Sequence, residues 1–258
     1  MKRIDFFGPP GCGKTTILEA VMKSAVRPRN WYTGKEFYLM ANYSLFHKKN
    51  GHSLNLIKRT GFRLFKKKRL LPINQKERDR FFSQELLPYQ NLLRRVNDNF
   101  GKDALAGPDI KSYRMVRFKE ELENVLLLEH MKEDGWVFFE ESLTYRYFEA
   151  LGEAFTDEEH LSMLKDNPFP PADGYICIQA SFDTLMKRLS SRRKVTRAHR
   201  QMNKSDIGHH VQTSIRNTTT ALQVLEAMNK PVLKIGEEDS VNQAAGKIHP
   251  FVMQLTEG

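Results

Sequence analysis

The fold is decided by residues 3–16, which read Arg3-Ile4-Asp5-Phe6-Phe7-Gly8-Pro9-Pro10-Gly11-Cys12-Gly13-Lys14-Thr15-Thr16. The first five residues have strand character, and Gly8 to Thr15 match the pattern Gly-x-x-x-x-Gly-Lys-Thr. Residues 17–22 then have helical character. This order of strand, glycine-rich loop and helix is the context that a phosphate-binding loop requires. The sequence therefore predicts a protein that binds a nucleoside triphosphate.

The residue types of this loop explain its expected chemistry. Its glycines allow consecutive backbone N–H groups to surround phosphate oxygens, and the N-terminus of the following helix adds a partial positive charge. Lys14 is expected to reach the β- and γ-phosphates, and Thr15 to ligate Mg²⁺ through its hydroxyl. The cofactors predicted for the loop are ATP and Mg²⁺. The predicted nucleotide-binding residues of the loop are Gly8, Gly11, Cys12, Gly13, Lys14, Thr15 and Thr16.

Length and composition predict a single cytosolic domain. The 258 residues are enough to bury a sizeable core, and we expect one domain over residues 1–258 with an inserted basic subregion at 30–108. No run of 18 apolar residues occurs, so no transmembrane helix is expected. The first strand begins almost at once, which leaves no room for a signal peptide. Cys12 and Cys177 have no metal-ligand spacing and fit a reducing compartment.

The positive charge of the chain is concentrated in one segment. Between Lys48 and Arg80 there are twelve Lys and Arg and two acidic residues, and this excess of ten equals the net charge of the whole chain, +10. Such a segment predicts contact with something anionic, which could be nucleic acid, an acidic glycan or, peripherally, a membrane surface. A solvated helical face is the alternative interpretation.

Hydrophobic patterns predict further strands and helices along the chain. Because strands alternate with helical segments, we expect a three-layer α/β/α fold of the phosphate-binding-loop (P-loop) class with a parallel sheet, plus a basic, mostly helical insertion. The dense aromatic residues at 31–46 favour a small packed core over base stacking. The predicted strands lie at 136–139, 175–178 and 231–235. The predicted helices lie at 76–98, 110–131, 143–155, 157–165, 205–228 and, for a short stretch, from Ser240. A loop is predicted at 101–108.

Two adjacent glutamates end the strand at 136–139. An acidic residue at this position would lie close to the phosphates, because the loop lies just outside the carboxyl ends of the strands. Glu140 or Glu141 could ligate the metal or take the proton from an attacking hydroxyl. Since adjacent strand residues point to opposite faces, only one of them can point directly into the site.

Arginines follow the predicted strand at 175–178. Ser181 is a plausible N-cap of the next helix, and Arg188 and Arg192 are spaced four residues apart on one face of it. Guanidinium groups around a transferring phosphoryl group stabilise the charge that its oxygens carry. A solvated helix end is the alternative interpretation.

Residues 3–24 and 136–248 resemble the P-loop kinases that include nucleoside and nucleotide kinases. Glu140-Glu141-Ser142 followed by Tyr145-Arg146-Tyr147 is similar to the deoxynucleoside kinase pattern Glu-Arg-Ser followed by Asp-Arg-Tyr. The resemblance implies that Glu140 is the base near the acceptor hydroxyl and that Arg188 and Arg192 hold phosphates. It also implies that Arg146 supports the acceptor site and that the loop from Gly236 lies beside the adenine.

The chain departs from that kinase group at three points. Glu141 stands where the pattern has arginine, and the spacing to Arg146 is one residue shorter. No Glu-Pro element follows the first helix. Because of these differences the resemblance does not identify the phosphoryl acceptor, and they argue against a simple nucleoside kinase.

Three functions are compatible with the sequence. The first is a kinase that moves the γ-phosphoryl group of ATP to a hydroxyl of a large or anionic acceptor, such as a glycan, a saccharide or a hydroxylated base in DNA, with a nucleoside or nucleotide as a further acceptor. The second is an ATPase that binds nucleic acid. The third is a regulatory nucleotide-binding protein without transfer chemistry.

Overall fold

The computed structural model describes residues 1–46, 73–102, 107–151, 155–166, 170–191 and 203–257. Within them, five strands form one parallel sheet in the order β2-β3-β1-β4-β5. This confirms the predicted α/β/α fold. The strands are β1 (Lys2–Phe7), β2 (Trp31–Thr33), β3 (Trp136–Phe139), β4 (Gly174–Ile178) and β5 (Val232–Ile235).

Helices connect the strands and cover both faces of the sheet. A 3₁₀ turn, Leu87–Tyr89, separates two of them. The α-helices are α1 (Lys14–Lys23), α2 (Gly34–Phe46), α3 (Gln75–Glu85), α4 (Gln90–Lys102), α5 (Pro108–Glu129), α6 (Leu143–Leu151), α7 (Asp157–Asp166), α8 (Phe182–Ser190), α9 (Lys204–Ala227) and α10 (Val241–Glu257).

The core is divided by the sheet into two sides. Because side chains alternate along a strand, Ile4 and Phe6 of β1 pack with α1, α8 and α10 on one face. Phe7 of the same strand packs with α4, α5, α6 and α9 on the other. The aromatic residues near β2 extend this second side, where Phe37 and Phe46 of α2 pack against β3 and α5.

The loop after β1 lies where the strand order reverses. In the sheet, β3 and β2 lie on one side of β1, and β4 and β5 lie on the other. Open parallel sheets bind ligands at such a switch point, outside the carboxyl ends of the strands. Residues 8–13 occupy this position.

Four features differ from the sequence-based expectations. The strand β2 was not predicted, and its three residues form one edge of the sheet. The predicted helix at 76–98 is two helices, because Pro88 lacks the N–H that an uninterrupted helix needs. The α4 helix includes Gly101 and Lys102, which were predicted as loop. The last helix has 17 residues rather than a short run, despite Pro250 inside it.

Part of the predicted basic segment lies outside the described residues. Residues 47–72 are not described, and Gln75 to Arg80 form the first turns of α3. Arg192 also lies outside the described residues. Of the helices that the structure describes, none is long and apolar enough to cross a membrane.

Candidate active site

The glycines of the loop permit a backbone path that other residues would block. Gly8 has φ 148°, and a Cβ at this position would lie 2.4 Å from the carbonyl oxygen of Ile178 on β4. Gly13 has φ 109° in the left-handed region and precedes the first residue of α1. A side chain at Gly8 would therefore displace the loop from the end of the sheet, and one at Gly13 would meet no neighbour but would strain the backbone.

Lys14 lies across the opening of the loop. Its Nζ donates to the carbonyl oxygen of Gly8 at 2.6 Å and to that of Pro9 at 3.3 Å. The same ammonium lies 4.8 Å from the ring centroid of Tyr145, within the range of a cation–π contact. The ammonium therefore has neutral oxygen and aromatic partners, and no carboxylate neutralises it within the described residues.

Glu140 follows the last residue of β3 and faces the loop. Thr15, Lys14 and Lys35 are all close enough to its carboxylate to lower its pKa. Burial and the charge of Glu141 have the larger effect, so the pKa of Glu140 is raised above its ordinary value. Glu140 forms no ion pair with any described residue. It is a half-buried carboxylate beside the phosphate-binding loop.

Glu141 has different partners from its neighbour. Its carboxylate accepts from Arg117 of α5 at 2.9 Å and from Arg146 of α6 at 2.5 Å. These two guanidinium groups outweigh burial and lower the pKa of Glu141. The structure thus shows the two glutamates pointing to separate groups of side chains, as alternation along an extended chain predicts.

Arg146 is a buried residue of the second group. Its guanidinium donates to Glu149 at 2.6 Å as well as to Glu141, and its side chain is 7% exposed. Glu121 lies in the same cluster, and burial raises its pKa to about 7 although Arg117 and Arg146 oppose that shift. We call Arg117, Glu121, Glu141, Arg146 and Glu149 the ion-pair cluster.

Ser142 fixes the turn that carries both glutamates. Its buried hydroxyl donates to the carbonyl oxygen of Phe6 at 3.0 Å and accepts from the N–H of Tyr145 at 3.2 Å. One side chain therefore caps the start of α6 and ties it to β1 just before the loop begins. Thr144 adds a second connection, a 2.7 Å hydrogen bond to the buried carboxylate of Asp5.

The α8 helix packs against the other side of the loop. Ser181 accepts from the N–H of Thr184, as the predicted N-cap requires. Arg188 lies in the last turn and donates from Nη1 to the carbonyl oxygen of Cys12 at 3.1 Å. A Cβ at Gly11 would lie 3.2 Å from Leu189 Cγ. The structure therefore brings Arg188 to the loop.

The turn that begins at Gly236 is fixed by contacts to its neighbours. The N–H of Gly236 donates to Asp239 at 3.3 Å, and Lys247 holds that carboxylate at 2.7 Å. Glu237 accepts from the N–H and hydroxyl of Ser181, both at 2.9 Å. These contacts join the end of β5 to the start of α8.

The side chains beside the loop fit the magnesium nucleotide that the motif predicts. Mg²⁺ takes hard oxygen ligands and usually keeps phosphate oxygens and waters among them. Thr15 is exposed and lies near the Glu140 carboxylate, which gives two such oxygen ligands beside the first turn of α1. No group of three or more His, Cys, Asp or Glu side chains in the described ranges could hold a metal by itself.

Sequence reasoning missed two residues of this region. Arg117 and Lys35 come from α5 and α2, and neither belongs to a recognisable motif. Ser142 was part of the Glu140-Glu141-Ser142 pattern, although its hydrogen bonds to β1 and α6 were not predicted. Arg117 is 24 positions from Glu141, and only the packing of α5 brings the two together.

Comparison with known proteins supports nucleotide binding by the loop. The model of the ATPase family associated with various cellular activities (AAA) matches residues 4–83, which include the loop, α1, β2 and α2. No curated protein sequence matches the chain.

Comparison with solved structures confirms the fold. The deoxyadenosine kinase of M. mycoides, in a structure with the products dCMP and a flexible dCDP, is 11% identical with a TM-score of 0.51, over 98% of this chain and 99% of that chain. Its structure with dATP gives 13% identity and a TM-score of 0.47, over 98% of this chain and 100% of that chain. The first match shows the architecture of a P-loop kinase, which the resemblance in sequence predicted.

Proposed function

We propose that the protein is an ATP-dependent phosphotransferase that moves the γ-phosphoryl group to a hydroxyl of an acceptor. The observation that carries this proposal is the position of Glu140. Its carboxylate lies beside Lys14 and Thr15, has a raised pKa, and forms no ion pair with a described residue. A carboxylate of this kind is suited to accept a proton at the moment of transfer.

Each side chain around the loop has a distinct part in the proposed reaction. Lys14 leaves its carbonyl partners to hold the β- and γ-phosphates, and Arg188 stabilises charge on the phosphate oxygens from α8. The acceptor hydroxyl oxygen bonds to the γ-phosphorus as the bond to the β–γ bridging oxygen breaks. ADP leaves, and the hydroxyl proton passes to Glu140. Stabilisation of the phosphoryl charge and positioning supply most of the catalysis in such a reaction.

Two further residues belong to the proposal. Arg192 would add a second guanidinium beside Arg188, as the resemblance implies, and Gly236 would border the adenine. The magnesium ion would be held by Thr15 and Glu140, where it supplies a positive charge that neutralises the phosphates. The contact between Glu237 and Ser181 supports this arrangement, because it keeps the turn at Gly236 next to the helix that carries Arg188.

The acceptor is proposed as a class rather than as a compound. The deoxyadenosine kinase with the shared fold makes a nucleoside or nucleotide the first acceptor to test. An acidic glycan or saccharide and a hydroxylated base in DNA remain proposals that rest on the basic segment at Lys48 to Arg80. Peripheral membrane contact is a further proposal for that segment. We also propose a cytosolic location, because both cysteines are free and buried.

A nucleic-acid-binding ATPase is the second candidate function. The match of residues 4–83 to the ATPase family associated with various cellular activities favours it. In this alternative water replaces the acceptor hydroxyl, and Glu140 activates that water. The two candidates therefore differ in the product that receives the phosphoryl group.

The test is to follow the γ-phosphate of magnesium ATP by mass spectrometry. The acceptor panel contains nucleosides, nucleotides, neutral sugars, acidic oligosaccharides, and DNA with and without hydroxymethylated bases. A reaction without acceptor gives the rate of hydrolysis. The kinase proposal predicts ADP and a phosphorylated product with one class of acceptor.

Other outcomes would overturn the kinase proposal. Inorganic phosphate as the sole product, faster when DNA is added, would establish the ATPase. ATP binding without ADP formation under any condition would establish a regulatory nucleotide-binding protein.

A further inference from the structure

The order of the strands arranges the candidate residues in a row along one edge of the sheet. The carboxyl end of β1 carries the loop, and that of β3, its neighbour, carries Glu140. On the far side of β1, β4 leads into α8 with Arg188, and β5 ends at Gly236. Adjacent strands lie about 4.8 Å apart. The row therefore has a nucleotide side, β4 and β5, and an opposite side, β3 and β2.

This order determines where the acceptor must lie. In phosphoryl transfer the attacking and leaving oxygens are roughly in line with the phosphorus. If the leaving ADP extends over β4 and β5, the attacking hydroxyl approaches from the β3 and β2 side. Glu140 is the first side chain on that side, and the next strand end along the row belongs to β2.

Lys35 follows that strand end. Thr33 of β2 is paired with Phe138 of β3, and a Cβ at Gly34 would lie 2.8 Å from Phe139 Cδ1. The two strand ends therefore lie side by side, with Lys35 in the first turn of α2 on the side of the sheet edge where Glu140 lies. The electrostatic effect of Lys35 on Glu140 agrees with this closeness.

The ammonium of Lys35 is exposed and forms no pair with a described residue. Among the described residues it has no hydrogen bond and no ion pair. Its neighbour Glu36 cannot neutralise it, because that carboxylate accepts from the N–H of Thr33 at 2.9 Å, from its hydroxyl at 3.1 Å and from Arg27 at 3.5 Å. Lys35 is thus available to a ligand.

The other described cations near the turn after β3 already have partners. Arg117 and Arg146 share Glu141, and each has a further carboxylate partner, Glu120 and Glu149 respectively. Lys14 belongs to the nucleotide loop, and Arg188 contacts the opposite side of that loop. Among the residues that the structure describes, Lys35 is therefore the cation best placed to contact an acceptor over β3 and β2.

We propose that Lys35 recognises a phosphate or carboxylate group on the acceptor, about one strand spacing, roughly 5 Å, from the hydroxyl that is phosphorylated. The inference rests on the proposed kinase function and narrows its acceptor to molecules that carry both groups. A nucleoside 3′-monophosphate and a uronic acid are two examples of this chemistry. Lys35 then acts as a specificity-determining residue, and Glu140 acts on the hydroxyl.

The test compares acceptors that keep the same free hydroxyls and differ in the anionic group. One pair is a 3′-O-methyl nucleoside and the nucleoside 3′-monophosphate, and the other is glucuronamide and glucuronate, so that the two pairs distinguish phosphate from carboxylate. Each is assayed for phosphorylated product with the wild type, Lys35→Met, Lys35→Arg and Lys23→Met. Lys23 is the control, because it is an exposed lysine at the far end of α1 whose ion pair, among the described residues, is with Glu19.

The expected result is a loss of selectivity. With the preferred anionic acceptor, Lys35→Met lowers kcat/KM about 10-fold or more, as the loss of a charged hydrogen bond does. The change appears mainly in the KM of the acceptor. For the neutral acceptor of the pair, kcat/KM changes less than about 2-fold, and the KM of ATP is unchanged. Lys35→Arg retains most of the selectivity, and Lys23→Met behaves as wild type.

Three results would overturn the inference. The wild type could prefer the neutral member of both pairs, Lys35→Met could affect both members equally, or Lys35→Met could raise the KM of ATP instead. All three leave the kinase function intact. Release of inorganic phosphate with every acceptor, by contrast, would refute the kinase function and this inference together.

Discussion

Glu140 and Glu141 are neighbours in sequence and belong to two different regions of the molecule. Glu140 lies beside Lys14, Thr15 and Lys35, with its pKa raised and no ion pair among the described residues. Glu141 lies in the ion-pair cluster, held by two guanidinium groups, with its pKa lowered. The first carboxylate can still gain a proton or a ligand, whereas the second already has its partners.

This difference suggests how one turn serves both chemistry and stability. The ion-pair cluster joins α5 and α6 to the end of β3, and the hydroxyl of Ser142 joins the same turn to β1. The turn is therefore fixed from the side of Glu141, and Glu140 is presented to the loop from a rigid support. Substitutions in the two regions should consequently change different quantities.

The largest effect on activity is expected for Lys14→Ala. The variant lacks the ammonium that is proposed to hold the β- and γ-phosphates, so ATP turnover should fall to the background rate. The measurement is ADP release from magnesium ATP. Lys23→Ala on the same helix is the control and should retain full activity, because its ion pair with Glu19 is exposed. Turnover that survives in Lys14→Ala would place the nucleotide elsewhere.

The largest effect on stability is expected for Arg146→Met. This change leaves the largely buried carboxylate of Glu149, 13% exposed, without its ion-pair partner and removes one of two guanidinium partners from the more exposed Glu141, which should lower the free energy of unfolding by about 3 kcal/mol. The measurement is urea unfolding at pH 7. Arg117→Met is the control, with an expected loss of about 1 kcal/mol because that side chain is 30% exposed. Equal losses in the two variants would contradict the difference in burial.

A smaller, pH-dependent effect is expected for Glu121→Gln. The pKa of Glu121 is raised to about 7, so the folded protein retains a proton that the unfolded chain releases near pH 4.5. The stability of the wild type should therefore decrease as the pH rises from 4.5 through 7. Since glutamine does not ionise, Glu121→Gln should be more stable than the wild type by about 1–3 kcal/mol at pH 8.

The control for this prediction is the adjacent Glu120→Gln. Glu120 is 49% exposed, and its replacement should change the free energy of unfolding by less than about 0.5 kcal/mol at either pH. Urea unfolding at pH 5 and pH 8 gives the comparison. A Glu121→Gln variant that is less stable than the wild type at pH 8 would mean that Arg117 stabilises the ionised carboxylate by more than its burial costs, so that the pKa of Glu121 is not raised.

The sequence predicted the region of Glu140 better than the region of Glu141. The loop and α1 form a continuous motif, and β3 is a run of large apolar residues that ends at Glu140, so local patterns were sufficient. The ion-pair cluster depends on α5 and α6 packing side by side. No local pattern encodes the contact between Arg117 and Glu141, because it arises from tertiary packing.

The strand β2, at the edge of the sheet on the side of Glu140, was also not predicted, for a physical reason. The strand β2 has three residues within a stretch of aromatic side chains, too short for a strand period to appear. Its position beside β3 is what brings Lys35 to the site, so the role of this lysine could be inferred only from the strand order. The roles of Arg188 and Glu140 remain predictions, although both lie at the loop.

The most direct test of the account is the single-turnover rate of phosphoryl transfer in Glu140→Gln and Glu141→Gln, measured with the free energy of unfolding of both variants. Glu140→Gln should lower the rate about 100-fold or more, as the loss of a positioned base does. Its ATP affinity should stay within a few-fold of the wild type, and its stability should not decrease. Glu141→Gln should lose stability and, where it is folded, transfer at nearly the wild-type rate. A wild-type rate in Glu140→Gln, or a slow but fully stable Glu141→Gln, would contradict the assignment of chemistry to Glu140.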